Sequence, residues 1–211
     1  MTGKVHIPKN GEEFAACMAE VTEAVDVDSR LPDWPFLAPS GYVAICQFDC
    51  LLGSDFVPVL QELSASHGDN EITLVALEPE PSYYWRAYSH FAGFRIESES
   101  LTDEAYWAAL SYEPKGDPTG AVAYTANVVA VVGSSRAWAV WGQRDWELAL
   151  VLALSEIGDG LRRSLPFVNA REALGDFRGP SGWVKPLTET EIATFLRNVE
   201  QRGTCSKPSS P

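Results

Sequence analysis

The sequence has no long hydrophobic run and little cysteine. None of its apolar stretches approaches the roughly 18 residues that a membrane-spanning helix requires. The N-terminal stretch MTGKVHIPKNGEEF lacks the apolar centre of a signal peptide. Four cysteines, at positions 17, 46, 50 and 205, are too few among 211 residues for a disulfide framework. These absences predict a cytoplasmic protein that has no membrane-spanning segment.

Positive charge is also scarce, because 16 Lys and Arg stand against 29 Asp and Glu, giving a net charge of −13. Residues 1–159 hold 8 basic and 24 acidic side chains, a net charge of −16, whereas residues 160–211 hold 8 and 5, a net charge of +3. An acidic body repels nucleic acid and anionic lipid and attracts basic proteins. We therefore expect no nucleic-acid partner and no membrane partner. Solubility alone is the other interpretation of the charge.

Motifs for catalysis and for cofactor binding are missing. The three histidines (6, 67 and 90) do not have the spacing of a zinc site, and no phosphate-binding loop or GxSxG nucleophile motif occurs. Cys46 and Cys50 would lie about 13 Å apart on one extended strand, which is too far for a disulfide or a shared metal, unless the strand ends between them. We interpret them as structural residues and predict neither a metal nor an organic cofactor.

The stretch of residues 127–154, NVVAVVGSSRAWAVWGQRDWELALVLAL, contains three apolar runs separated by two turn-like breaks. The first run, 128–132, is β-branched and apolar on both faces, which is typical of a strand buried on both sides. Breaks at 133–136 and 142–145 then predict a three-stranded meander. The third run, 146–154, fits a strand and also a helical stripe, and both interpretations stay open.

Amphipathic patterns predict helices around this meander. One begins after an Asn10–Glu13 capping pattern and extends to residue 25, and others begin near residues 54, 102, 169 and 188. Apolar or alternating runs at 42–48, 72–77 and 94–97 predict further strands, the last of them an edge strand. The first two could form a right-handed parallel unit. We predict a single α+β domain over residues 1–203, with a mixed or antiparallel sheet, the central meander and flanking amphipathic helices. A disordered tail over residues 204–211 follows.

Residues 81–94 contain six of the 23 aromatic residues of the chain. On a helix, Tyr84 shares a face with Tyr88 and Phe91, whereas Tyr83 and Trp85 do not, so a helix packed on one sheet cannot bury all six. Tyr and Trp are favoured interface residues, and an acidic surface speeds the capture of a basic partner. The predicted partner-binding surface therefore combines these aromatics with nearby carboxylates, and it consists of Glu78, Glu80, Tyr83, Tyr84, Trp85, Glu97 and Glu99.

A second candidate site surrounds the second turn of the meander and consists of Trp138, Trp141, Arg144, Asp145 and Trp146. An Arg–Asp pair beside indole rings could line a small-molecule pocket or orient a catalytic group. The same residues also fit a salt-bridged turn under packed tryptophans, which is the interpretation that we prefer.

Together these features favour a non-enzymatic module that binds a basic protein. Bacterial immunity proteins, which neutralise a cognate toxin domain, often have this general character, although no motif carries the similarity. Two alternatives remain. One is an enzyme of an unrecognised family that uses the second candidate site, and the other is a scaffold or regulatory subunit.

Overall fold

The computed structural model describes residues 5–155, 167–177 and 185–204. Within these ranges the chain forms one sheet with helices on both faces. The strands are β1 (Val5–His6), β2 (Gly41–Gln47), β3 (Glu71–Glu78), β4 (Gly93–Glu97), β5 (Val128–Gly133), β6 (Trp138–Gln143), β7 (Leu148–Ala153) and β8 (Gly203–Thr204). The helices are α1 (Gly11–Thr22), α2 (Phe48–Leu51), α3 (Val57–His67), α4 (Pro81–Tyr88), α5 (Asp103–Leu110), α6 (Val122–Thr125), α7 (Ala170–Asp176) and α8 (Glu189–Arg202).

The strands follow the order β1-β4-β3-β5-β6-β7-β2-β8, and every neighbouring pair is antiparallel except β2 and β8. The predicted α+β fold with a mixed sheet is therefore confirmed. Most of the predicted tail lies outside the described residues, but its first residue, Thr204, pairs with Tyr42. No helix in the described ranges is long and apolar enough to cross a membrane.

The meander lies at the centre of the sheet, as the sequence predicts. β5 pairs with β6, and β6 pairs with β7, all three antiparallel and buried along their whole length. The open question about residues 146–154 is resolved in favour of a strand, Leu148–Ala153, which follows a 3₁₀ turn at Arg144–Trp146. Because both faces of this strand are covered, its apolar residues are continuous, which is why they also resemble a helical stripe.

Each face of the sheet packs against its own helical layer. On one face, which we call the α3 face, Trp138 and Val140 of β6 belong to a core that includes residues of α2, α3, α5 and α6. On the other, the α1 face, Ala139 and Trp141 belong to a core that includes residues of α1, α7, α8 and the loop 23–40. This division follows from the alternation of side chains along a strand.

Two details of the predicted topology need correction. β2 and β3 do not form a parallel unit, because β5, β6 and β7 lie between them. β4 is not the outermost strand either, since β1 pairs with it on its free side. Local sequence patterns indicate that a segment is a strand but do not indicate which strand lies beside it.

Four of the five predicted helix starts agree with the capping patterns, whereas the start near residue 54 is a 3₁₀ turn, Ser54–Phe56, after which α3 begins at Val57 without a side-chain cap. The side chains of Asn10, Thr102, Asn169 and Thr188 each accept a hydrogen bond from a backbone N–H in the first turn of their helix. Helix α1 ends at Thr22 rather than at residue 25, because Val25 forms an antiparallel bridge with Phe36.

A buried carboxylate holds the turn between β5 and β6. Asp69 is 7% exposed and accepts hydrogen bonds from Trp138 Nε1 at 2.6 Å, from Ser134 Oγ at 3.2 Å and from the backbone N–H of Ser135. A charged acceptor strengthens such bonds, so this turn is tied to the segment that follows α3.

We expect Trp138→Ala to lower the free energy of unfolding by about 3–5 kcal/mol, because it leaves a cavity in the α3 face. Trp138→Phe keeps most of the packing but leaves Asp69 without one donor, which costs about 1–3 kcal/mol. Urea unfolding monitored by circular dichroism measures both. Trp107→Ala, at an exposed position, is the control and should stay within about 0.5 kcal/mol of the original protein. Equal unfolding midpoints for Trp138→Ala and Trp107→Ala would contradict this account of the core.

Candidate functional site

Helix α4 presents part of the predicted partner-binding surface to solvent. It begins at Pro81 and ends where Ser89 adopts a left-handed conformation (φ 61°). Tyr83 and Trp85 are 44% and 47% exposed. Tyr84, in contrast, is fully buried in the α3 face, and burial raises the pKa of its hydroxyl. Tyr84 must therefore be removed from the predicted surface, since the helix turns this side chain towards the core.

Two of the carboxylates predicted for this surface have arginine partners. Glu78 lies 3.3 Å from Arg30, and Glu80 lies 3.6 Å from Arg86. Glu97 is half-buried in β4 opposite Glu71, and Glu99 is exposed. Arg30 and Arg86 offset the negative charges of Glu78 and Glu80. These two carboxylates therefore contribute less to the local negative potential than their formal charges suggest.

The tertiary structure adds three exposed aromatic residues that the sequence reasoning missed, namely Trp107, Tyr112 and Tyr124. With the two exposed rings of α4 they form what we call the aromatic face, which consists of Tyr83, Trp85, Trp107, Tyr112 and Tyr124, each 40–58% exposed. All five come from residues 81–125. Trp107 directly follows the core residue Tyr106, whereas Tyr112 and Tyr124 stand singly, so none of the three lies in an aromatic-rich stretch such as residues 81–94.

Ring contacts connect parts of this face. Tyr83 contacts Tyr88 at 6.2 Å between centroids, Tyr88 contacts His90 at 6.3 Å, and His90 contacts Tyr112 at 5.9 Å. A separate pair, Trp107 and Tyr124, meets at 90° and 6.5 Å. Such edge-to-face and tilted contacts limit the freedom of the rings before any partner binds.

His90 fixes the end of α4 against the following 3₁₀ turn, Pro118–Gly120. Its ring is 6% exposed, Nδ1 lies 3.2 Å from the carbonyl oxygen of Phe91, and Nε2 lies 3.0 Å from that of Gly120. A side chain at position 120 would place its Cβ 3.0 Å from the ring of Tyr88, so glycine allows this close approach.

Exposed carboxylates precede Trp107 in the first turn of α5 and in the 3₁₀ turn before it. Glu99, Asp103 and Glu104 are exposed and make no side-chain hydrogen bond or ion pair within the described residues; we call these three the acidic corner. Residues 96–114 contain no Lys or Arg. Asp103 and Glu104 precede Trp107 by four and three positions on α5, which places them next to it on the helix surface. The acidic corner is therefore a local negative field beside two exposed rings.

The second candidate site is not assembled. Trp138 belongs to the α3 face, whereas Trp141 and Trp146 belong to the α1 face, and all three indoles are buried. Two residues three positions apart on a strand point to opposite faces. The alternation of side chains along β6 therefore already indicated that Trp138 and Trp141 lie on different faces of the sheet.

The two charged residues of that site do not pair with each other. Arg144 donates to the carbonyl oxygen of Ala126 at 3.0 Å, lies 3.5 Å from Asp49 and covers the ring of Phe48. Asp145 accepts a hydrogen bond from Gln143 Nε2 at 2.8 Å. The arrangement is that of polar side chains that support a turn.

The described residues contain no group of three or more His, Cys, Asp or Glu that could hold a metal ion. Cys17, Cys46 and Cys50 are free thiols. Burial raises the pKa of Cys17 to about 11, and it raises the pKa values of Cys46 and Cys50 as well. The estimate of 13 Å between Cys46 and Cys50 does not apply, because β2 ends at Gln47 and Cys50 lies in α2.

Comparison with protein-family models, with curated proteins and with solved structures found no match. No relative therefore supplies a function for the aromatic face or for the acidic corner. What these surfaces bind must be inferred from the chemistry of their own side chains.

We expect His90→Phe to lower the free energy of unfolding by about 1–3 kcal/mol, because the imidazole donates to at least one of the carbonyl oxygens of Phe91 and Gly120, and a phenyl ring cannot. His6→Phe is the matched control, at a half-exposed histidine, and should change stability by no more than about 0.5 kcal/mol. Chemical denaturation measures both. Equal stabilities for the two variants would show that His90 does not hold this part of the chain together.

Proposed function

We propose that the protein is a non-enzymatic binding module that captures a basic protein partner in the cytoplasm, and that the partner is a toxin domain neutralised by a bacterial immunity-type mechanism. The observation that carries the proposal is the position of the acidic corner beside the exposed Trp107–Tyr124 pair, in a stretch without Lys or Arg. The free thiols of Cys17, Cys46 and Cys50 support the cytoplasmic part of the proposal, since thiols stay reduced there.

Binding would proceed in two physical stages. Long-range attraction between the acidic body and a basic partner raises the rate of encounter, and it weakens as salt screens the charges. The exposed rings then lose their water against the partner, which slows dissociation. Aromatic side chains suit this second stage, because they bury a large area and have few rotatable bonds to immobilise.

The acidic corner replaces Glu78 and Glu80 as the carboxylates that would contact the partner. Glu78 and Glu80 have Arg30 and Arg86 beside them, whereas Asp103 and Glu104 have no basic neighbour on α5. A cationic side chain of a partner can therefore pair with the acidic corner without first displacing an arginine of this chain.

The enzyme alternative required the residues of the second candidate site to lie together around one pocket, and they do not. Its three tryptophans are distributed over both faces of the sheet, and its Arg and Asp have separate partners. No other observation among the described residues favours a particular reaction, so we do not propose a second function.

Photo-crosslinking can identify the partner and test the surface together. A photoreactive phenylalanine analogue replaces Trp107 in one variant and Leu37 in another, and crosslinked proteins from cells of the source species are identified by mass spectrometry. Leu37 is the matched control, because it is 55% exposed and its loop packs on the α1 face. We expect a basic protein to crosslink through position 107 and not through position 37. A partner that is acidic, or that crosslinks equally at both positions, would contradict the proposal.

We expect Asp103→Lys with Glu104→Lys to slow association with that partner by roughly one order of magnitude at low salt, and by less at high salt. Asp28→Lys with Asp33→Lys is the control, because it changes the net charge equally at exposed positions of the loop on the α1 face. Biolayer interferometry at two salt concentrations measures the rates. If both double variants slow association equally, net charge rather than the acidic corner guides the partner.

We expect Trp107→Ala to speed dissociation, at a cost of about 2 kcal/mol or more in binding free energy if the indole is a central contact. Trp107→Phe should retain much of the affinity, since a ring remains to pack on Tyr124. Leu37→Ala serves as the control in the same kinetic measurement. Unchanged dissociation in Trp107→Ala would remove the aromatic face from the interface.

A further inference from the structure

A groove of about 440 Å³ lies between the N-terminal segment and the end of α4. Its volume is within the range of small-molecule sites in proteins. One wall is formed by residues 5–9, and the other contains Trp85, Ser89, His90, Tyr112 and Pro114. Two rings of the aromatic face, those of Trp85 and Tyr112, therefore line a concave site, whereas Trp107 and Tyr124 do not line it.

The indole of Trp85 is held as one layer of a three-ring stack. Its centroid lies 4.8 Å from that of Phe91 at an angle of 21°, and Phe91 lies 4.8 Å from Phe14 at 12°. Phe14 is buried in the core of the α1 face. One face of the indole is thus packed while the residue stays 47% exposed, which leaves a fixed ring surface on which a planar ligand can stack.

Two lysines border the groove. Lys9 lines it, is exposed, and makes no side-chain hydrogen bond or ion pair within the described residues. Lys115 reaches its rim, where Nζ donates to Ser89 Oγ at 2.8 Å. These are two of the 8 basic residues in positions 1–159.

The carboxylates near the groove already have partners. Glu13 accepts hydrogen bonds from the backbone N–H of Lys9 and from Asn10 Nδ2, and it lies 3.3 Å from His6; the bond from Lys9 holds its pKa below the ordinary value. Glu113 accepts hydrogen bonds from the backbone N–H groups of Lys115 and Asp117, both at 2.7 Å. The charge of Lys9 also helps to lower the pKa of Glu13, but within the described residues its ammonium group makes no hydrogen bond or ion pair and can pair with an anion.

We infer that this groove binds a small molecule in which a planar aromatic ring carries an anionic group. The ring stacks on the open face of Trp85, and the anion pairs with Lys9 and Lys115. This inference goes beyond the proposed function, because the ligand has the opposite charge to the partner expected at the acidic corner.

Isothermal titration calorimetry with four probes tests the inference on the full chain. Adenosine monophosphate and indole-3-acetate each combine a ring with an anion, as a phosphate or as a carboxylate, whereas adenosine supplies the ring alone and inorganic phosphate the anion alone. We expect at least one of the first two to bind about tenfold more tightly than either of the last two, because the ring and the anion contribute together. Which of the two binds distinguishes a nucleotide-like ligand from an aromatic carboxylate.

Two variants locate the binding. Lys9→Glu with Lys115→Glu changes exposed side chains and should weaken binding of the preferred probe about tenfold or more. Trp85→Leu should weaken it as well, with the melting temperature measured to show that the variant folds. Tyr124→Ala is the control and should leave probe binding unchanged, since Tyr124 lies outside the groove.

Either of two results would overturn the inference. One is that no probe with a ring and an anion binds more tightly than adenosine, including the case in which none binds. The other is that the lysine double variant binds as tightly as the original protein. The proposed function is tested separately, because the Asp103 and Glu104 variants alter partner capture without altering the groove.

Discussion

Burial of the central meander on both faces is the constraint on which the rest of the structure depends. All residues of β5, β6 and β7 are buried, so neither face of these strands can be left to solvent. Helices α3 and α5 are therefore required on one side, and α1 and α8 on the other. Asp69 adds a polar anchor to this apolar layer, because its carboxylate ties the turn between β5 and β6 to the segment after α3.

The same constraint explains why aromatic side chains accumulate on the surface at residues 81–125. This part of the chain supplies β4, which lies near one edge of the sheet between β3 and the two-residue strand β1. Tyr84 of α4 and Tyr106 of α5 are buried in the core. Trp85 and Trp107, the next residues along the same two short helices, point in a different direction and stay exposed. Exposed rings that are held in place are suited to binding, since little conformational entropy is left to lose.

Charge divides this aromatic surface into two chemical environments. Beside Trp107, the acidic corner offers carboxylates without basic neighbours, which suits a cationic protein surface. Beside Trp85, Lys9 and Lys115 offer ammonium groups, which suits an anion. The two groups of exposed rings can therefore select ligands of opposite charge, and the net charge of the whole chain indicates only the first of these ligands.

The sequence by itself determined the local features, because these depend on a few neighbouring residues. The apolar runs of the meander and the capping residue Thr188 follow from periodicity and from capping chemistry. Only the tertiary structure decided which segments are neighbours. It separated β2 from β3, gave Glu78 an arginine partner and brought Lys9 to the groove beside Trp85, since contacts between distant parts of the chain depend on packing that no local pattern encodes.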